Sequence, residues 1–223
     1  MDQITTGISK LDELLGGGFP KNAVILVSGG PGAGKTLFGL NYMLEGAKNN
    51  ETCCYLTLNE NKKELLRACT LEQLKSVHKY VDKNLVIESL DIGEEVNLEY
   101  FENLFKAYPR TDRLVIDNLN KLLIHAENKR HYRIVLSKTV RYLREKIGST
   151  ILICETEGDK MDTGNGEAFE SDGVIQFSFI EFEEKPKRTI EIPKMRYTAI
   201  EPRVQHELEI TNQGLRLTET KII

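Results

Sequence analysis

The 223-residue sequence predicts an α/β fold: a mostly parallel central sheet with helices on both faces, extended at the carboxyl end by antiparallel β-strands. Three observations carry this. Short apolar runs at Ala23–Val27, Thr52–Leu58, Leu114–Asp117 and Thr150–Glu155 read as strands buried on both faces. Segments with apolar residues at helical spacing lie between them. After Gly173 the pattern changes to alternation, as in half-buried strands.

The chain begins with a short helix whose Ile8, Leu11, Leu14 and Leu15 share a face and which Gly16–Gly18 end. This segment is expected to pack beside the main domain. Pro20 and Asn22 turn the chain into the first strand, Ala23–Val27. Leu37, Leu40, Leu44 and Ala47 recur at helical spacing, and the second strand, Thr52–Leu58, follows. Residues 62 to about 79 read as one helix anchored by Leu65, Leu66 and Leu74, before a short strand at Leu85–Ile87. Asn97 caps a predicted helix with Leu98, Phe101, Leu104, Phe105 and Tyr108 inward, ended by Pro109.

After the strand closing on Asp117, a long helix from about Lys129 to Ile147 turns Tyr132, Leu136, Val140, Leu143 and Ile147 to the core. The strand Thr150–Glu155 leads into a polar stretch, Thr156–Asp172. Late strands are expected at Gly173–Phe182, Arg188–Ile192, His206–Thr211 and Leu215–Thr218, with Asn212–Gly214 as a turn. No internal repeat or Pro/Gly/Ser-rich linker divides the chain, so residues 1–223 read as one domain.

The bulk numbers exclude several classes. Hydrophobic content of 40% and charged content of 29% are ordinary for a globular protein. A formal net charge of −4 gives no overall attraction to nucleic acid. The 4 cysteines, Cys53, Cys54, Cys69 and Cys154, show no C-x-x-C spacing and read as buried thiols in a reducing compartment. There is no signal-peptide pattern and no apolar run long enough to span a membrane, so a cytoplasmic location is expected.

The chemistry starts at Gly29–Thr36, which fits G-x-x-x-x-G-K-[ST]. Glycines let the backbone curl so that N–H groups converge on anionic oxygens, and the following helix adds its positive end. An apolar strand before the motif and helical spacing after it supply the required context. Gly30, Pro31, Gly32, Ala33, Gly34, Lys35, Thr36 and Leu37 are therefore expected to bind nucleotide phosphates. Lys35 would reach the β- and γ-phosphates, and Thr36 would ligate Mg²⁺.

In an open parallel sheet, ligands sit beyond the carboxyl ends of the strands. Asp117 ends an apolar strand and fits a Walker B aspartate, a second group at the metal; the alternative is an ordinary strand-to-loop aspartate. Glu60, after strand two, is either a water-polarising carboxylate or a solvated loop residue. Lys194-Met195-Arg196, taken alone, is a charged strand end.

Together these residues resemble the KaiC-like branch of the RecA-type P-loop ATPases over nearly the whole chain. Thr6-Gly7-Ile8, Leu11-Asp12 and Leu14–Gly18 are similar to its opening signature, and Gly32–Phe38 to its P-loop and helix start. Val115–Asp117 fits its Walker B strand, Lys194-Met195-Arg196 with Thr198 its K-[LM]-R-x-T element, and Thr211–Gly214 its late Thr-Asp-x-Gly turn, with Asn212 in place of Asp. The resemblance implies a RecA-like fold, ATP or ADP with Mg²⁺ as ligands, and homo-oligomeric rings, typically hexamers, with nucleotide between neighbours. It implies that Lys194, Met195, Arg196, Thr198, Thr211 and Asn212 approach the nucleotide from the adjacent subunit, with Arg196 or Lys194 acting on the γ-phosphate.

Two departures from the family pattern bear on function. The family carries two glutamates after strand two, whereas this chain has Asn59-Glu60. An amide cannot take a proton from water. The acceptors used by the namesake clock protein for self-phosphorylation would fall near Ala168-Phe169, which carry no hydroxyl, so neither self-phosphorylation nor a clock role is expected. The reading is a slowly hydrolysing, ring-forming regulatory ATPase with Lys35, Glu60, Asp117 and Arg196 as its catalytic set and an unidentified protein partner. A non-hydrolysing ATP sensor is one alternative, motivated by Asn59. A DNA-recombination accessory protein related to RecA and RadA paralogues is another. The stripe Arg130, Arg133, Arg141 and Arg144 on the long helix reads first as a solvated or subunit-contact face and otherwise as one for nucleic acid or an acidic partner, while the loop after strand five, with Glu155, Glu157, Asp159, Asp162, Glu167, Glu170 and Asp172 against Lys160, would repel phosphates.

Overall fold

The computed structural model describes residues 2–90, 103, 110–158, 160–182 and 185–222. The helix expected from Asn97 to Pro109, apart from Asn103, and Asp159 lie outside the described residues.

The elements run β1 (Gln3–Ile4), α1 (Ser9–Leu14), β2 (Phe19–Pro20), β3 (Val24–Gly29), α2 (Lys35–Lys48), β4 (Cys53–Thr57), α3 (Lys62–Arg67), α4 (Glu72–Lys75), β5 (Leu85–Ser89), β6 (Arg113–Asp117), α5 (Asn120–His125), α6 (Lys129–Lys146), β7 (Ser149–Glu155), α7 (Glu167–Glu170), β8 (Gly173–Phe182), β9 (Lys185–Met195), β10 (Gln205–Thr211) and β11 (Gly214–Ile222). A nine-stranded sheet has the order β11-β10-β9-β8-β3-β7-β6-β4-β5. Strands β8 through β5 in that order are mutually parallel, and β9, β10 and β11 continue the sheet antiparallel.

The period-two geometry of a strand splits each apolar run between two cores. Ile25 and Val27, Tyr55, Val115, Ile151 and Ile153, and Phe177 face the layer holding α1 and α2. Val24 and Leu26, Cys54 and Leu56, Leu114 and Ile116, and Leu152 face the α6 layer. Asp117 continues the parity of Val115, and Glu155 that of Ile151 and Ile153. Both side chains therefore emerge on the α2 side, at the carboxyl end of the sheet.

Arg113, fully buried at the start of β6, ties the amino segment to this core. It pairs with Glu51, donates to the Thr5 carbonyl (2.6 Å) and the Tyr42 carbonyl (3.1 Å), and lies 4.5 Å from the centroid of the Tyr42 ring. Asp12, in the first turn of α1, holds the same segment by accepting from Thr6 N at 2.7 Å.

Several expectations are corrected. The helix expected over 62–79 is broken into α3, α4 and a 3₁₀ turn at Ser76–Lys79. The break is held from outside, by Glu72 N donating to the Asn212 carbonyl at 2.7 Å. A short helix, α5, forms where none was predicted. The strand expected among the antiparallel set at 173–182 is shared: Gly173–Phe177 pairs parallel with β3, and its other edge pairs antiparallel with β9. All 4 cysteines are buried and free, as the sequence implied. Burial pushes the Cys53 and Cys54 thiols up to about 12 and Cys69 to about 11. Among the described residues no helix is long and apolar enough to cross a membrane.

Candidate functional site

The loop between β3 and α2 takes its shape from two glycines. Gly29 has φ 148, and a Cβ there would stand 2.2 Å from the Phe177 carbonyl oxygen. Gly34, at the N-cap of α2, has φ 107, and a Cβ would meet Ile210 Cδ1 at 2.7 Å. Only glycine combines a left-handed backbone with such close neighbours.

The loop opens on a cleft of about 280 Å³ lined by Gly32, Gly34, Lys35, Thr36, Leu37, Asp117, Glu155, Arg188 and Ile210. Lys35 Nζ donates to the Gly29 and Gly30 carbonyls, each at 2.8 Å. Burial lowers its affinity for the proton, and the charges of Glu155 and then Asp117 act against that effect. Thr36 Oγ1 donates to Asp117 Oδ2 at 2.8 Å. Tyr55 Oη, fully buried on β4, donates to the same oxygen at 2.7 Å. Burial raises the Asp117 carboxyl above the usual range, while these two bonds and Lys35 pull it back. The Asp117–Asn118 peptide is cis.

The sequence-predicted residues fall into three groups. Gly32, Gly34, Lys35, Thr36, Leu37 and Asp117 line the cleft, and Gly30, Pro31 and Ala33 belong to the same loop without lining it. Glu60 does not line it: the residue is exposed just beyond β4, with its backbone held by the Thr57 and Ser89 hydroxyls. Burial raises its carboxyl first, followed by the charges of Asp117 and Glu64.

Lys194, Met195, Arg196 and Thr198 lie at the other end of the sheet. Met195 pairs with Gly173, and Gly173 with Ile25. The triplet therefore sits four strand residues below Gly29, about 13 Å at ~3.3 Å per residue. Lys194 Nζ donates to the carbonyls of Ala168 (2.8 Å), Phe169 (3.3 Å) and Ser171 (2.6 Å). Arg196 Nη1 pairs with Asp172 Oδ1 at 3.2 Å. Thr198 Oγ1 is a buried oxygen without a hydrogen-bond partner.

Thr211 and Asn212 return to the carboxyl end of the sheet but face away from the loop. Thr211 lines a neighbouring groove of about 680 Å³ with Gly7, Ser9, Gln73 and Arg216, and Asn212 O is held by α4. Within one chain, neither group reaches the phosphate cleft.

Tyr55, which backs Asp117 from the core, and Arg188, Glu155 and Ile210, which line the cleft, escaped the sequence reading. Tyr55 sits inside an apolar run, where its hydroxyl leaves no periodic signal. Arg188, on β9, crosses the sheet to donate from Nε to the Gly32 carbonyl at 3.3 Å, with its guanidinium 5.2 Å from the Phe179 ring centroid. The stripe on α6 is partly engaged within the chain. Arg144 binds Asp172 Oδ2 at 2.8 Å and also donates to the Glu170 carbonyl, and Arg133 lies against Gly166.

A family model described as ATPase: KaiC matches residues 4–222. Circadian clock protein KaiC2 of Synechocystis is 32% identical over 203 residues, covering 86% of this chain. The chain spans only 36% of that protein's length. UPF0273 protein PH0284 of Pyrococcus horikoshii is 26% identical over 242 residues, with 99% of this chain and 96% of that one covered. The crystal structure of KaiC-like protein PH0186 from Pyrococcus horikoshii superposes with a TM-score of 0.83 at 30% identity, covering 97% of this chain and 99% of that one.

Proposed function

The chain belongs to the KaiC family of ATPases, and on that premise we propose that it is a slowly ATP-hydrolysing regulatory protein that works as a ring with nucleotide shared between subunits. The observation that supports this reading best is the separation within one chain: a phosphate cleft at one end of the sheet, and Lys194 and Arg196 at the other. Arg196, about half exposed, would exchange its Asp172 partner for the phosphate of a neighbour.

In this reading the loop N–H groups and Lys35 bind the β- and γ-phosphates, for which Lys35 exchanges the Gly29 and Gly30 carbonyls. Arg188 adds a cation from the same chain at the loop's outer side. Thr36 and Asp117 offer adjacent hard oxygens, a donor set that suits Mg²⁺. Among the described residues no cluster of three or more His, Cys, Asp or Glu forms a metal cage, and Mg²⁺ needs none when phosphates and water complete its shell. The ion would supply charge neutralisation on the phosphate oxygens. Lys194 or Arg196 of an adjacent subunit would stabilise charge on the γ-phosphate as bonds change.

Particle size measured with and without Mg-ATP, alongside phosphate release, tests the reading. A nucleotide-dependent ring with slow turnover that Lys35→Ala abolishes is expected. A monomer under all conditions would remove the shared-site model. Asn59 favours a second reading, a non-hydrolysing ATP sensor, which nucleotide binding without phosphate release would select.

A further inference from the structure

Hydrolysis needs a group that holds the attacking water, and the residues after β4 supply it poorly. Asn59 has no carboxylate, and Glu60 stands outside the cleft. A different carboxylate lies inside it. β7 runs between β3 and β6, so its last residue, Glu155, emerges between the phosphate loop and Asp117: Gly29 pairs with Glu155, and Asp117 with Ile153. Glu155 lines the cleft with Lys35, Thr36 and Asp117.

Its backbone is fixed on both sides by one residue. Asn120 Nδ2 donates to the Glu155 carbonyl at 2.9 Å, and Glu155 N donates to Asn120 Oδ1 at 2.8 Å. The residue is solvent-exposed, so water reaches its carboxylate. It is also the strongest charge acting on Lys35, ahead of Asp117. A carboxylate and a γ-phosphate repel in direct contact. A water between them removes the conflict, donating a hydrogen to the carboxylate and turning a lone pair to phosphorus.

We propose that Glu155 is the catalytic residue that orients the attacking water and accepts its proton, the task that Asn59 cannot perform. The water oxygen forms the new bond to the γ-phosphorus. The bond from that phosphorus to the β–γ bridging oxygen breaks, its electron pair staying on ADP. One water proton passes to Glu155 and then to solvent, and the other remains on the phosphate. The proposal rests on the hydrolysis reading above.

The test uses the full chain with Mg-ATP and compares wild type, Glu155→Gln, Glu155→Asp and Glu157→Gln. Three quantities are read: ADP affinity, phosphate release, and trapping of ADP with aluminium fluoride, which mimics the in-line transition state. Glu155→Gln should keep ADP affinity within about 3-fold, lose about 100-fold or more in turnover, and fail to trap the analogue. Glu155→Asp should trap partially. Glu157→Gln removes an exposed neighbouring carboxylate and should change nothing. Wild-type turnover and trapping in Glu155→Gln would overturn the proposal and leave the ATPase reading intact. So would loss of ADP affinity in step with turnover, since that marks a structural role. A wild type that binds ATP and releases no phosphate would remove the hydrolysis reading and this proposal together.

Discussion

Tyr55 Oη and Thr36 Oγ1 converge on a single oxygen of Asp117, at 2.7 Å and 2.8 Å. Their roles differ. Thr36 stands at the mouth of the phosphate cleft, whereas Tyr55 approaches from the core and orients the carboxylate from behind. Residues that orient a metal-facing carboxylate commonly change metal affinity by about 10–100-fold when removed. Tyr55→Phe should therefore weaken Mg²⁺-dependent nucleotide binding by about 10-fold, with little effect on binding in EDTA. Titration of a fluorescent ATP analogue with and without Mg²⁺ checks this. Equal loss in both conditions would mean that the hydroxyl serves the core alone.

Asp172 joins the amino end of the sheet to the residues proposed to act on a neighbour. It accepts from Val24 N (3.0 Å), Arg144 Nε (2.8 Å) and Arg196 Nη1 (3.2 Å). Arg196 is about half exposed, so its removal disturbs little inside the chain. Arg196→Ala should keep nucleotide affinity and lose hydrolysis by about 10³-fold, the range for cations supplied across an interface. Asp172→Asn should also lower thermal stability, because Arg144 and Val24 N lose an ionised acceptor. Unchanged turnover in Arg196→Ala would exclude it as the trans-acting cation.

The buried strands were legible because β3, β4, β6 and β7 are runs of apolar residues too short for helices. The loop glycines were legible because their chemistry fixes their spacing. What stayed hidden is information held by distant partners. Leu65, Leu66 and Leu74 suit one helix as well as two; the carbonyl of Asn212, 140 residues beyond the Glu72 N–H that it accepts, decides for two. Six residues of α5 are too few to show a period. The parallel pairing of β8 depends on which edge of β3 is vacant, and that is a property of the whole sheet. Glu155 was read as one charge in an acidic loop, and only the position of β7 between β3 and β6 brings it to the cleft.

Arg113 is fully buried and its partner Glu51 is partly so, with four acceptors or ring contacts gathered on one guanidinium. Removing one member of a buried pair leaves the other uncompensated, at a cost of about 3–5 kcal/mol. Glu51 regains some water here, so Arg113→Ala should cost about 3 kcal/mol. It should also free the Thr5 carbonyl and loosen the amino segment. Urea unfolding gives the first quantity, and hydrogen exchange at Thr5–Ile8 gives the second. A loss below about 1 kcal/mol would show the pair to be energetically neutral.

Asp12 gives the fold a pH dependence with a definite sign. Burial raises its carboxyl above the ordinary 3.8, and the bonds from Thr6 offset only part of this. The folded chain therefore holds the proton to higher pH than the unfolded chain. Stability from this site is greatest below 3.8 and falls as pH rises through the raised folded value, where ionisation in the fold becomes unfavourable. Asp12→Asn removes the ionisation, while Asn Oδ1 can still accept from Thr6 N. The urea midpoint of Asp12→Asn, measured against wild type, should therefore move upward as pH increases from 3.8 to 7. A difference that stays flat would mean that the Thr6 bonds balance burial, and one that moves the other way that they outweigh it.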